Sequence, residues 1–209
     1  MSSVFVEPMD IERRSMAVIT QELGDRRFPP EQEPIVKRVI HTTADFSYAD
    51  SLCFSPTAVQ SALDGLRAGC DIVTDTQMAR AGVNKTVLAS LGGEVHCFMS
   101  DEDVAEEAMQ RGVTRAAVAM ERIARLDKPC LVAVGNAPTA LLRLYELLEA
   151  KQLPPPLLII GVPVGFVNVV EAKEQIMNAG APYIVARGRK GGSNVAAAIC
   201  NALLYQIHR

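Results

Sequence analysis

Cys130-Leu131-Val132-Ala133-Val134-Gly135-Asn136-Ala137-Pro138-Thr139 decides the fold. Apolar residues run unbroken into a glycine, and a proline follows where a helix would open. Behind it Leu141, Leu144, Tyr145 and Leu148 recur at helical spacing. The pattern predicts a strand over Cys130–Val134 and a helix over Pro138–Lys151, capped by Asn136. A short strand without polar alternation belongs in a parallel sheet covered on both faces.

The same unit repeats along the chain. Asp71–Thr74, Val95–Met99, Leu157–Val162 and Tyr183–Ala186 are the other candidate strands. Ser55-Pro56 opens a helix that Gly69 stops, with Val59, Ala62, Leu63 and Leu66 as its stripe. Asp103–Leu126 reads as one long helix or two short ones broken at Gly112. A helix from about Val169 to Asn178 ends at Gly180, and Ser193 caps the last one. Two further helices, about Asp10–Leu23 and Glu33–His41, precede the first strand. The predicted class is α/β: a five-stranded, parallel, doubly wound sheet with right-handed crossovers and extra N-terminal helices. A flavodoxin-like strand order is the first expectation. At about 100–200 residues per domain, the 209 residues fit one domain over 1–209.

Composition narrows the function. With 49% hydrophobic and 22% charged residues, disorder is excluded. A net charge of -3 argues against a nucleic-acid partner. Trp is absent, which removes the best stacking platform for single strands. Five cysteines, an odd number with no Cys-x-x-Cys pair, argue against a disulfide scaffold or zinc ribbon and for the reducing cytoplasm. Glu7, Asp10, Glu12, Arg13 and Arg14 leave no room for a signal-peptide apolar core. The uncharged stretch Leu153–Val170 is broken by Pro154, Pro155, Pro156 and Pro163, which favours a buried strand over a membrane span.

Ligands of such sheets bind at the carboxyl ends of the strands. The richest loop there is Arg187-Gly188-Arg189-Lys190-Gly191-Gly192-Ser193, with cations, glycines and a helix start. It reads as an anion site, or as a flexible loop with solvated cations. No Gly-x-Gly-x-x-Gly follows a strand and no Walker loop or Gly-x-Ser-x-Gly elbow occurs, so no nucleotide cofactor is indicated. His41, His96 and His208 are isolated, without metal-ligand spacing. His41 ends the stripe Ile35, Val36, Val39, Ile40, where a helix dipole favours imidazolium. Asp45 nearby adds a counter-charge in this reading, and together they would raise the His41 pKa above about 6.5. The alternative is a histidine that merely closes its helix.

Several strings together carry a family resemblance. They are Glu12-Arg13-Arg14-Ser15, Val39-Ile40-His41-Thr42-Thr43-Ala44-Asp45-Phe46, Phe54-Ser55-Pro56 and Ile72-Val73-Thr74-Asp75-Thr76-Gln77-Met78. Gly82-Val83-Asn84-Lys85, Gly135-Asn136-Ala137-Pro138-Thr139-Ala140, Gly161–Val167 and Arg187–Ser193 follow in order. From about Ile11 to Leu204 the chain resembles the precorrin-8X methylmutase family, most closely its cobalt-precorrin-8 branch in anaerobic cobalamin synthesis. The resemblance implies an α/β, flavodoxin-like homodimer with its site near the subunit interface. It implies a methyl shift from C-11 to C-12 of the ring, giving cobyrinic or hydrogenobyrinic acid. No separate cofactor is implied, because cobalt, where present, belongs to the substrate.

His41 matches the family's proposed acid. The residues implied to hold the tetrapyrrole and its carboxylates are Arg14, Ser15, Thr42, Thr43, Asp45, Arg115, Asn136, Thr139, Arg187, Gly188 and Lys190, with Arg189 beside them. Met78 and Met99 read as core residues or as side chains facing the macrocycle. Two other classes stay open: a non-catalytic corrinoid carrier, and a flavodoxin-like electron-transfer or signalling domain. The last expects a phosphate loop after the first strand, where Asp75-Thr76-Gln77-Met78 has no glycine.

Overall fold

The computed structural model describes residues 8–207, so the expectations for Glu7 and His208 lie outside the described residues. In chain order the elements are α1 (Pro8–Leu23), α2 (Glu33–Thr43), α3 (Tyr48–Ser51), β1 (Leu52–Phe54) and α4 (Ala58–Arg67). Then come β2 (Asp71–Thr74), α5 (Gln77–Gly82), α6 (Lys85–Ser90) and β3 (Val95–His96). α7 (Glu102–Arg111), α8 (Arg115–Glu121), β4 (Cys130–Val134) and α9 (Pro138–Glu149) follow. β5 (Leu158–Gly161), α10 (Val169–Met177), β6 (Tyr183–Ala186) and α11 (Ser193–Ile207) close the chain.

One six-stranded sheet runs in the order β1-β6-β5-β4-β2-β3. All neighbours are parallel except β1, which pairs antiparallel with β6 through Leu52↔Ala186 and Phe54↔Ile184. Strand side chains alternate between two cores. Ile72, Leu131, Ala133, Ile160 and Ile184 face α1, α2, α4, α5, α6 and α11. Val73, Val132, Val134, Ile159 and Val185 face α7 to α10. Both faces are thus covered, which is why the strands lack polar alternation.

The expected five strands are six. β1 has three residues, too few for a period to show, and its place comes from backbone pairing at the edge of the sheet. The strand expected over Val95–Met99 stops at His96, and Phe98–Ser100 winds into a 3₁₀ turn. The break at Gly112 holds: its φ of 64 lets the α7 end turn over before α8. Leu153–Val170 contains β5, and no described helix is long and apolar enough to cross a membrane.

Three expected caps fail, two of them because the side chain is used across the fold rather than along its own helix. Ser55 Oγ accepts from the Tyr183 amide at 2.9 Å, and α4 starts only after Thr57. Ser193 lies inside α11, its hydroxyl 2.8 Å from Thr76 Oγ1. Asn136 is exposed and does not cap α9. That task falls to Asp75, at the end of β2. Its Oδ1 accepts from Gly135 N at 2.9 Å and its Oδ2 from Asn136 N and Ala137 N, both at 2.8 Å.

Asp75 is fully buried. Burial pushes its carboxyl pKa up, and the three backbone donors work against that by favouring the charged form. Removing the acceptor leaves several buried N–H groups unsatisfied, each at about 1–3 kcal/mol. Asp75→Ala is expected to lose about 3 kcal/mol or more in urea unfolding, and Asp75→Asn less, because one amide oxygen remains. A loss below about 1 kcal/mol for Asp75→Ala would mean that the turn is held by other contacts.

Candidate functional site

The loops at the carboxyl ends of the strands converge. A Cβ on Gly135 would lie 2.7 Å from Ser193 Cα, so only glycine lets the β4–α9 turn touch the start of α11. Gly191 backs onto the Val162 carbonyl in the same way, and Gly192 N donates to Val162 O at 2.9 Å. Gly165 N donates to Arg189 O at 3.1 Å. The β5 and β6 loops are therefore one interlocked surface.

α2 is held beside this surface by Ile35, Val36, Val39 and Ile40, all buried against the layer that contains α11. The helix ends at Ala44, whose left-handed φ of 53 lets its N–H return to the Ile40 carbonyl at 2.7 Å. His41 occupies the last turn and is exposed. It lines an open groove of about 480 Å³ between α1 and α2. Ile11, Val18, Ile19, Ile40 and Phe46 wall the groove, and Arg14, Ser15, Glu22 and His41 are its polar members. Three of the sequence-derived candidates, His41, Arg14 and Ser15, thus meet on one surface. Glu22 and Phe46 were not among them: Phe46 closes the Val39–Phe46 string without having been given a role, nothing in the local sequence marks Glu22, and packing of α1 on α2 brings both in.

Several candidates are already engaged. Thr42 Oγ1 donates to Arg38 O at 2.9 Å and Thr43 Oγ1 to Val39 O at 2.8 Å, so each hydroxyl offers only its lone pairs outward. Ser15 Oγ likewise donates to Ile11 O at 2.9 Å. Asp45 is not the counter-charge of His41. Its Oδ2 takes the Lys190 ammonium at 2.6 Å and its Oδ1 the Ser47 amide at 2.9 Å. Lys190 Nζ also donates to Ser47 Oγ at 2.9 Å. The Lys190 ammonium supplies a full charge and three donors, enough to serve Asp45 and Ser47 together. Hydrogen bonds from Lys190 and Ser47 hold the Asp45 pKa down at about 2.

The cationic loop is likewise less free than its composition suggested. Arg187 Nε lies 3.9 Å from Glu174 Oε1, and Arg189 sits 5.6 Å over the Phe166 ring. Gly188 gives its carbonyl to Lys173 Nζ at 2.8 Å. Lys173 was missed although its position is legible: it shares the inward face of α10 with Val169 and Ile176. Asn136 is exposed at the β4 end.

Arg115 and Thr139 fall elsewhere. Thr139 accepts from Thr114 Oγ1 at 3.0 Å and lines a separate depression of about 290 Å³ with Arg111, Glu121 and Arg143. Arg115 is exposed at the start of α8 beside it. Within this chain neither lines the groove of His41. Met78 is 71% exposed, which overturns its reading as core, whereas Met99 packs partly buried under α7 and α8. Four of the cysteines are buried, Cys53 is half-buried, and all are free thiols.

Fold and groove together define an α/β protein with an open, apolar-walled groove at a helix end. Comparison with known proteins gives the family. The family model described as precorrin-8X methylmutase matches residues 10–206. A cobalt-precorrin-8 methylmutase of Salmonella typhimurium is 46% identical, covering 96% of this chain and 96% of that protein. A precorrin-8X methylmutase of Pseudomonas aeruginosa is 40% identical, over 92% of this chain and 93% of its own length. The crystal structure of a precorrin-8X methylmutase from Thermus thermophilus superposes with a TM-score of 0.86 at 39% identity, covering 95% of this chain and 97% of that one. The chain belongs to the precorrin-8X methylmutase family, and it is a methyl-shifting isomerase.

The Asp45–Lys190 clasp has a pH signature. The folded pKa lies below the ordinary value, so the contribution to stability is complete above about pH 4 and is lost as pH falls through about 2. The Asp45 carboxyl carbon, followed by NMR, is expected to titrate at about 2 and to move toward about 4 in Lys190→Met. Titration of the unaltered protein at the ordinary value would mean that the clasp is open in solution.

Proposed function

We propose that this chain moves a methyl group from C-11 to C-12 of cobalt-precorrin-8, or of its metal-free counterpart, giving cobyrinic or hydrogenobyrinic acid. The observation that carries the assignment of roles is the groove in which His41, Arg14 and Ser15 meet on aliphatic walls. A corrin precursor is a broad apolar ring fringed with carboxylates. The walls suit its face, and Arg14 suits a carboxylate at its edge. The reaction is an isomerisation: the methyl leaves one ring carbon and arrives at another, with no net gain or loss of electrons. The protein therefore needs neither a nucleophile nor a redox partner. Its work is to hold one ring conformation and to stabilise charge as the conjugated system reorganises.

His41 is the proton or hydrogen-bond donor in this reading. It sits in the last turn of α2 and lines the groove, and the proton lent to the ring returns once the methyl has moved. Thr42, Thr43, Asn136, Arg187, Gly188 and Lys190 lie on or near the carboxyl edge and are assigned to the substrate's rim. Arg115 and Thr139 would reach that substrate only from a second copy of the chain, which fits a homodimer with its site near the subunit contact. Exposed Phe166, Val167 and Met78 supply apolar surface for such a contact. The order β3-β2-β4-β5-β6 of the parallel strands supports a flavodoxin-like description, with β1 as an added edge in a single catalytic domain. Free thiols throughout suit a reducing cytoplasm. Cobalt enters, where it does, as part of the substrate, and the step requires no other cofactor.

An anaerobic optical assay with cobalt-precorrin-8 tests the reading. Catalytic conversion of the spectrum is expected, with His41→Ala slower by about 10²–10⁴-fold while still binding the ring. Wild-type turnover by His41→Ala would make the histidine structural. Stoichiometric binding without turnover by the unaltered protein would make the chain a corrinoid carrier.

A further inference from the structure

Lys173 is the largest charged side chain wholly shut off from solvent, at 0% exposure. It sits on the face of α10 that also carries Val169, Ala172 and Ile176. No carboxylate pairs with it among the described residues. Its ammonium donates instead to two backbone carbonyls of one loop, Gly188 O at 2.8 Å and Lys190 O at 2.9 Å. Burial pulls its pKa down to about 8, so the ammonium still prevails at neutral pH.

Burying an ammonium is costly, and an apolar side chain of similar volume would avoid that cost while leaving the Gly188 and Lys190 carbonyls without this donor. Stability alone does not account for it. What the ammonium does locally is draw two carbonyls of the β6–α11 loop inward. Gly188, at a φ of 77, makes the turn that allows this. With its carbonyl held inside, Lys190 sends its side chain outward to Asp45 Oδ2 and Ser47 Oγ. Asp45 directly follows the cap of α2, the helix whose last turn carries His41. An unbroken line of polar contacts runs from the core of α10 to the end of α2.

We propose that Lys173 is a positioning residue: by fixing the Gly188 and Lys190 carbonyls it sets the Lys190–Asp45 clasp, and through the clasp the place of His41 against the sheet edge. The catalytic consequence rests on the role of His41 proposed above; the mechanical link from Lys173 to Asp45 does not.

Lys173→Met keeps the volume and removes the charge, and is expected to fold with a melting temperature equal to or above that of the unaltered protein. The Asp45 carboxyl should then titrate upward from about 2 toward its ordinary value, and kcat should fall about 10- to 100-fold with KM little changed. Lys173→Met combined with Lys190→Met should lose no more than the worse single variant, since both act in one line. Should Lys173→Met be insoluble, Lys173→Gln, whose amide reaches one carbonyl, is read the same way. An Asp45 titration unmoved in the folded variant, or failure of both variants to fold, would overturn the proposal and leave Lys173 a determinant of the fold. If the unaltered protein bound the ring without converting it, the reading of function would fall, while the Asp45 titration would still decide the link.

Discussion

One buried carboxylate sets the layout of this molecule. Asp75 directly follows β2 and accepts from the backbone N–H groups of Gly135, Asn136 and Ala137, where β4 turns into α9. β2 and β4 are neighbours in the sheet, and from this pair the chain winds outward in both directions. Open α/β sheets commonly bind their ligand at such a switch point, with an anion on the exposed N–H groups of the next helix. Here the protein supplies that anion itself. The glycine-poor turn Asp75-Thr76-Gln77-Met78 and the helix start of α9 are two halves of one internal contact.

With the switch point occupied, the candidate groove lies to one side, between α1 and α2. Its position depends on how α2 is seated. The apolar stripe Ile35, Val36, Val39 and Ile40 fixes the helix against the core, and the left-handed Ala44 ends it beside the sheet edge. The Asp45–Lys190 ion pair then ties that end to the loop after β6. An exposed pair of this kind adds little to stability. Its value is geometric, since it joins two segments far apart in sequence at the residue next to a helix cap.

The strand–loop–helix alternation was legible because burial on both faces writes itself into sequence as apolar runs, and Gly69, Gly112 and Pro138 punctuate them. β1 was not legible: three residues paired through backbone bonds leave no side-chain signature. Caps were misread where a polar side chain reached across the fold, as Ser55 does to Tyr183 and Ser193 to Thr76. The site was legible in part. His41, Arg14 and Ser15 stood out and do meet, whereas the pairing of Asp45 with His41 was drawn from nearness in sequence alone.

The sequence by itself determined the α/β class, most of the elements, the family, and a set of candidate site residues. Those follow from local periodicity and from strings of neighbouring residues. Only the tertiary structure decided partners: that Asp45 serves Lys190, that Asp75 caps α9, that Lys173 lies wholly inside, and that Arg115 and Thr139 stand apart from His41. Electrostatic partners are chosen by distance in space and by the cost of leaving a buried group unmatched, and neither quantity is written in the order of residues along the chain.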